Sequence, residues 1–139
     1  MPFYLQFMDY KSLQSLIIAN IGHQPTQLQL MCAQALSLFI CAGEDRSAFV
    51  LRGYAGTGKT TCARIFARAL NKAEFNIIEI NAADNTGVDG VRKIITDASR
   101  VPIGTPYKIF ILDECHMLST QAWNALLKLI EEPPDSVVF

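Results

Sequence analysis

Apolar residues recur along this chain first at helical spacing and later in short unbroken runs, and the change of pattern organises it. Leu13, Leu16, Ile17 and Ile21 fall on one face of a helix that Asp9 can cap and Gly22 can end. Pro25-Thr26 opens a second helix, whose apolar side reads as Leu28, Met31, Cys32, Ala35 and Phe39. Residues 43–47 form a polar turn, and Ala48-Phe49-Val50-Leu51 is a short run of strand type. Cys62, Ile65, Phe66, Ala69 and Leu70 return to helical spacing. Residues 76–81 then read as a partly alternating strand, and Val88, Val91, Ile95 and Ala98 as a helix. Pro102, Gly104 and Pro106 make the next stretch a loop. Lys108-Ile109-Phe110-Ile111-Leu112-Asp113 is a continuous apolar strand, of the kind that suits a parallel sheet covered on both faces. Ser119 caps a helix with Ala122, Trp123, Leu126, Leu127 and Ile130 facing inward, and Pro133-Pro134 stops it. Val137-Val138-Phe139 begins a further strand. Strands alternating with helices predict an α/β domain with a parallel sheet.

Composition agrees with a globular core, since half of the 139 residues are hydrophobic and 18% are charged. A chain of this size can bury roughly 70% of its unfolded surface as one domain. The formal net charge of −1 argues against wholesale electrostatic binding to nucleic acid. Cys32, Cys41, Cys62 and Cys115 show no C-x-x-C pair, which predicts free thiols in a reducing compartment and no zinc site. The window from Leu28 to Ala42 is too short and too interrupted to span a bilayer, and the N-terminus lacks a signal-peptide pattern. The expectation is a cytoplasmic protein without membrane partners.

The chemistry is carried by Gly53-Tyr54-Ala55-Gly56-Thr57-Gly58-Lys59-Thr60, a full match to G-x-x-x-x-G-K-[ST] between a strand-type run and a helical pattern. Glycines let the backbone turn so that successive N–H groups point at phosphate oxygens, and the helix N-terminus behind them adds its dipole. The candidate nucleotide-binding residues are therefore Gly53, Ala55, Gly56, Thr57, Gly58, Lys59, Thr60 and Thr61. Lys59 would set its charge on the β- and γ-phosphates of ATP, and the Thr60 hydroxyl would bind Mg²⁺. Asp113-Glu114 closes the apolar strand, where a Walker B pair belongs, and ligands of open α/β sheets sit beyond the carboxyl ends of the strands. Asp113 would hold Mg²⁺ with Thr60, and Glu114 would polarise the attacking water, so Glu114 and Lys59 are the candidate catalytic residues. His116 completes D-E-x-H and reads as a histidine satisfied in a turn. Arg92 and Lys93 read as a solvated helix face, and Trp123 as core.

From about Thr60 to Phe139 the chain resembles the ATPase core of bacterial clamp loaders, the DNA polymerase III gamma/tau type. The likeness rests on T-T-C-A-R-I-F-A-R-A-L, I-I-E-I-N-A-A-D-N-T-G-V-D-G-V-R, K-I-F-I-L-D-E-C-H-M-L-S and N-A-L-L-K-L-I-E-E-P-P. It implies a P-loop NTPase of AAA+/RecA-like fold, a three-layer sandwich about a parallel sheet, C-terminally truncated. It also implies a division into an N-terminal helical segment, 1–47, and an incomplete ATPase core, 48–139, without lid or collar. Implied partners are other clamp-loader subunits, a sliding clamp and primed DNA, in an oligomer in the full-length context. The family's adenine-holding segment ahead of the P-loop and its cysteine-rich zinc insert are not seen. The strand at Val137 should lie between the P-loop strand and the Asp113 strand, so that a chain stopping there would bind nucleotide weakly and hydrolyse it slowly.

The N-terminal part is similar to a different family. P-T-Q-L-Q, an apolar helix and F-V-L-R-G-Y-A-G-T-G-K-T-T resemble superfamily 1 helicases of the exonuclease V alpha-subunit type. By that likeness Gln29 would contact adenine. The two resemblances overlap at the P-loop, as in a mosaic of a helicase-like lead-in and a clamp-loader-like core. Three functions follow: a clamp-loader ATPase in DNA replication, a helicase motor, and a nucleotide-binding module without turnover of its own.

Overall fold

The computed structural model describes residues 9–19, 21, 24–41, 50, 52, 56, 58–71, 73–84 and 86–139. The chain divides into two units, Met1–Lys72 and Ala73–Phe139, each with packing of its own. The helix that follows the P-loop falls in the first of these units.

In the second unit the apolar runs pair as strands β1 (Ile77–Asn81), β2 (Lys108–Asp113) and β3 (Val137–Val138), and the amphipathic stretches are helices α4 (Val88–Ala98) and α5 (Thr120–Glu131). The sheet is parallel throughout in the order β1-β2-β3, with Ile77 opposite Ile109, Asn81 opposite Asp113 and Lys108 opposite Val137. The strand from Val137 thus lies beside the Asp113 strand, as expected. The expected P-loop strand on its other side falls on residues 48–51, of which only Val50 is described, exposed and outside any strand. Backbone bonds from the Ala82 N–H to the Asp113 carbonyl and from the Lys108 N–H to the Ser136 carbonyl extend the two ladders.

Central β2 is buried along most of its length, which is why its sequence is uniformly apolar. Phe110 enters one core with Val91, Ile94 and Ala98 of α4, Ala122 and Leu126 of α5, and Val137. Its ring stacks on Phe139 at 5.3 Å between centroids. Ser119 caps α5 by accepting the Ala122 N–H at 3.2 Å, and Pro133 follows the last turn, both as predicted. Trp123 corrects the sequence reading. It is 38% exposed, with Leu127 beside it, because Ala122 and Leu126 take the centre of the buried face and leave the next stripe at the rim. Buried Lys108 places its ammonium 2.8 Å from the Asp97 carbonyl, at the C-terminal end of α4 where the helix dipole favours a cation.

The first unit contains α1 (Tyr10–Ala19), α2 (Gln27–Cys41) and α3 (Lys59–Leu70). Asp9 caps α1, its Oδ1 accepting the Lys11 and Ser12 N–H groups at 2.9 and 3.1 Å. Its Oδ2 accepts the Ser12 hydroxyl, and these bonds hold the carboxyl below its usual pKa. Leu13, Ile17 and Ile21 are buried, whereas Leu16 is partly exposed. Gly22 and the turn at 43–47 lie outside the described residues.

The predicted face of α2 is wrong. Leu28 and Met31 are 62% and 59% exposed and Ala35 is exposed, while Gln29, Ala33, Leu36 and Ser37 are buried. The sequence QLQLMCAQALSLFIC carries apolar residues on nearly every side, so spacing alone selects no face. Packing against α1 and α3 favours the stripe with small Ala33 and Ser37, and the Ser37 hydroxyl is satisfied by the Ala33 carbonyl at 2.7 Å.

Candidate nucleotide-binding site

Two glycines shape the described part of the P-loop. Gly56 has φ 77° and Gly58 φ 79°, ψ 22°, in the left-handed region that other residues enter at a cost. Gly58 is the cap of α3, its carbonyl accepting the Cys62 N–H at 2.9 Å, and no side chain caps the helix. Lys59 and Thr60 are the first two residues of α3, half-buried, and Thr61 follows, exposed. A helix start without a side-chain cap, entered through a left-handed glycine, presents backbone N–H groups and the positive end of the dipole together. Gly53, Ala55 and Thr57 lie outside the described residues.

Gln29 lies against this loop. Its Oε1 accepts the Thr26 N–H at 2.9 Å, and the Thr26 hydroxyl accepts the Gln29 N–H at 3.3 Å, which is a reciprocal capping box at the start of α2. Its amide nitrogen stands 3.2 Å from where a Cβ on Gly58 would be. The sequence marks Pro25-Thr26 as the start of a helix, but not the approach of Gln29 to Gly58. One turn further along, the Cys32 and Cys62 thiols of α2 and α3 interact, and burial, reinforced by Cys62, pushes the Cys32 thiol up to about 12. Both thiols are free, as expected.

The second candidate set belongs to the other unit. Asp113 ends β2 opposite Asn81, at the carboxyl ends of two parallel strands. Glu114 leaves the strand at φ 52°, ψ 34°, among the described residues the one non-glycine with positive φ. Its N–H donates to Asp113 Oδ1 at 2.9 Å, and its carbonyl accepts the Met117 N–H at 2.9 Å, so the turn is closed from both sides. Left-handed backbone at a non-glycine residue costs about 1–2 kcal/mol, and such outliers concentrate at functional sites. His116 Nδ1 lies 3.3 Å from Glu114 Oε2, with the side chains 70% and 55% exposed. An exposed pair of this kind contributes at most about 1 kcal/mol. Sequence reasoning named Asp113, Glu114 and His116 but not the left-handed turn, since φ leaves no mark on residue type here. Among the described residues no three His, Cys, Asp or Glu side chains gather as a metal cluster. No helix among them is long and apolar enough to cross a membrane.

Relatives converge on one family. Residues 71–139 match the family model described as DNA polymerase III, delta subunit. The DNA polymerase III subunit gamma/tau of Mycobacterium tuberculosis (strain H37Rv) is 35% identical over 127 residues, covering 75% of this chain and 22% of that protein. Subunit tau of Bacillus subtilis is 42% identical over 113 residues, covering 66% and 20%. Subunit gamma of Buchnera aphidicola from Schizaphis graminum is 35% identical over 133 residues, covering 80% and 36%. The chain therefore spans between about a fifth and about a third of the length of these relatives. A stretch covering 75% of the chain contains positions 53–60 wherever it begins, so the likeness to these subunits runs through the P-loop. The α/β unit with its parallel sheet and these relatives define the chain as a member of the clamp-loader family. Within it, the chain is of the gamma/tau type.

Proposed function

We propose that this chain is the ATP-binding part of a clamp-loader ATPase of the gamma/tau type, acting in DNA replication. The observation that carries the reading is Gly58 in the left-handed region directly before Lys59, the first residue of a helix without a side-chain cap, in a chain of this family. In this reading residues 48–139 are an ATPase core of AAA+/RecA-like three-layer type and residues 1–47 a helical segment ahead of it. The backbone from Gly53 to Thr61, including Ala55, Gly56, Thr57 and Gly58, cradles the triphosphate. Lys59 neutralises charge on the β- and γ-phosphates. The Thr60 hydroxyl and the Asp113 carboxylate are hard oxygen donors, a set that suits Mg²⁺. When bound, Mg²⁺ supplies charge neutralisation to the phosphates. The left-handed turn carries the Glu114 carboxylate off the end of β2, where it can orient the attacking water and accept its proton. The meeting of Asp113 and Glu114 with the P-loop belongs to the proposal. So do the partners, which are other clamp-loader subunits, a sliding clamp and primed DNA, and a cytoplasmic setting. The clamp-loader reading is favoured over the helicase reading because the likeness to gamma/tau subunits passes through the P-loop.

Titrating labelled ATP into the wild type, Lys59→Ala and Glu114→Gln, with turnover measured in parallel, tests this. Lys59→Ala is expected to weaken binding at least about tenfold. Glu114→Gln is expected to keep binding and lower turnover by about 10²–10⁴. Wild-type affinity in Lys59→Ala would sink the proposal.

A further inference from the structure

Gln29 stands at the P-loop with its two amide ends differently engaged, and this separates two roles. The Thr26 backbone N–H can only donate, so the Gln29 atom 2.9 Å from it is the oxygen, and the nitrogen is the end that faces Gly58. A side chain reading adenine uses its oxygen and its nitrogen together, accepting from the exocyclic amine while donating to a ring nitrogen. To do so Gln29 would give up the cap of α2, in which its oxygen accepts the Thr26 N–H. Gly58, by contrast, is within reach of the amide as it stands. The residue has a left-handed backbone, no Cβ, and the nitrogen 3.2 Å from the Cβ position. Gln29 is itself buried, so the amide cannot swing freely away.

We propose that Gln29 is a positioning residue for the phosphate-binding loop, holding Gly58 against the start of α2, and not a reader of the base. The inference rests on the reading of residues 53–60 as a triphosphate cradle. Its consequence is specific: the amide supports backbone whose N–H groups face phosphate, so its loss weakens every ligand that carries the triphosphate, whatever the base. The Cys32–Cys62 thiol pair lies one turn further along the same α2–α3 contact.

The test titrates ATP, GTP and inorganic tripolyphosphate, each with Mg²⁺, into the wild type, Gln29→Ala, Thr26→Ala and Lys59→Ala. Gln29→Ala is expected to weaken all three ligands by a common factor of about five. Thr26→Ala removes the hydroxyl half of the capping box and should lower the unfolding midpoint without changing the three affinities. A loss confined to ATP would assign Gln29 to the base and overturn the proposal. Affinities in Gln29→Ala equal to those of Thr26→Ala would reduce Gln29 to a helix cap, which also overturns it. Should Gln29→Ala not fold, Gln29→Met keeps the side-chain volume and removes the amide without adding charge. The expected result is then the same joint loss of ATP and tripolyphosphate binding. If Lys59→Ala binds all three like the wild type, the triphosphate reading itself fails, and that outcome is distinct from either failure of Gln29.

Discussion

Asn76 shows how one side chain sets where a strand begins. The sequence pattern places it inside the strand, but it sits in a single helical turn just before β1, buried. Its amide donates to the Ile103 carbonyl at 2.9 Å and to the Thr105 hydroxyl, which in turn donates to the Tyr107 carbonyl at 2.9 Å. One amide thereby ties down the loop that delivers the chain to β2. Asn76→Ala should destabilise the protein by about 1–3 kcal/mol, because the buried amide and the two bonds it donates to part-buried acceptors are lost together. A shift of the urea midpoint at unchanged slope would show it, whereas an unchanged midpoint would mean that water serves the loop equally well. Nothing in residue type marks such a long-range partner, since Asn76 and Ile103 are neighbours only in the fold. Asp9 is the opposite case. Its cap on α1 was legible because capping acts within one turn.

Helices divide in the same way according to how many sides are apolar. In α4 and α5 polar residues occupy one side, and the predicted elements and most of their buried residues are found as read. In α2 apolar residues surround the axis, and the buried stripe was set by what α1 and α3 leave room for. Two substitutions separate the stripes. Leu36→Ala, at a buried position, should cost about 2–5 kcal/mol. Met31→Ala, at an exposed one, should change stability by no more than about 0.5 kcal/mol. Thermal unfolding of the two variants side by side checks this, and equal losses would mean that the Met31 face is covered in solution.

For the whole molecule, two units of separate packing imply that damage to one core spreads first within its own unit. Leu126 lies fully buried between α4, α5 and the sheet. Leu126→Ala should lower hydrogen-exchange protection of α4, β2 and α5 together, with a loss of about 2–5 kcal/mol. Loss confined to the amides of α5 would show that the second unit does not open as one piece.

The sequence alone determined the order and type of the elements from β1 to β3, the caps at Asp9 and Ser119, and the residues from Gly53 to Thr60, Asp113 and Glu114 as the candidate chemistry. These features act over short stretches of chain, through periodicity, capping and the glycine pattern of one loop, so they are written in neighbouring letters. Tertiary structure alone decided which face of α2 is buried, the pairing of β2 with β1, the left-handed turn at Glu114 and the approach of Gln29 to Gly58. Each of these depends on what another segment brings to the same place, and no local pattern encodes that.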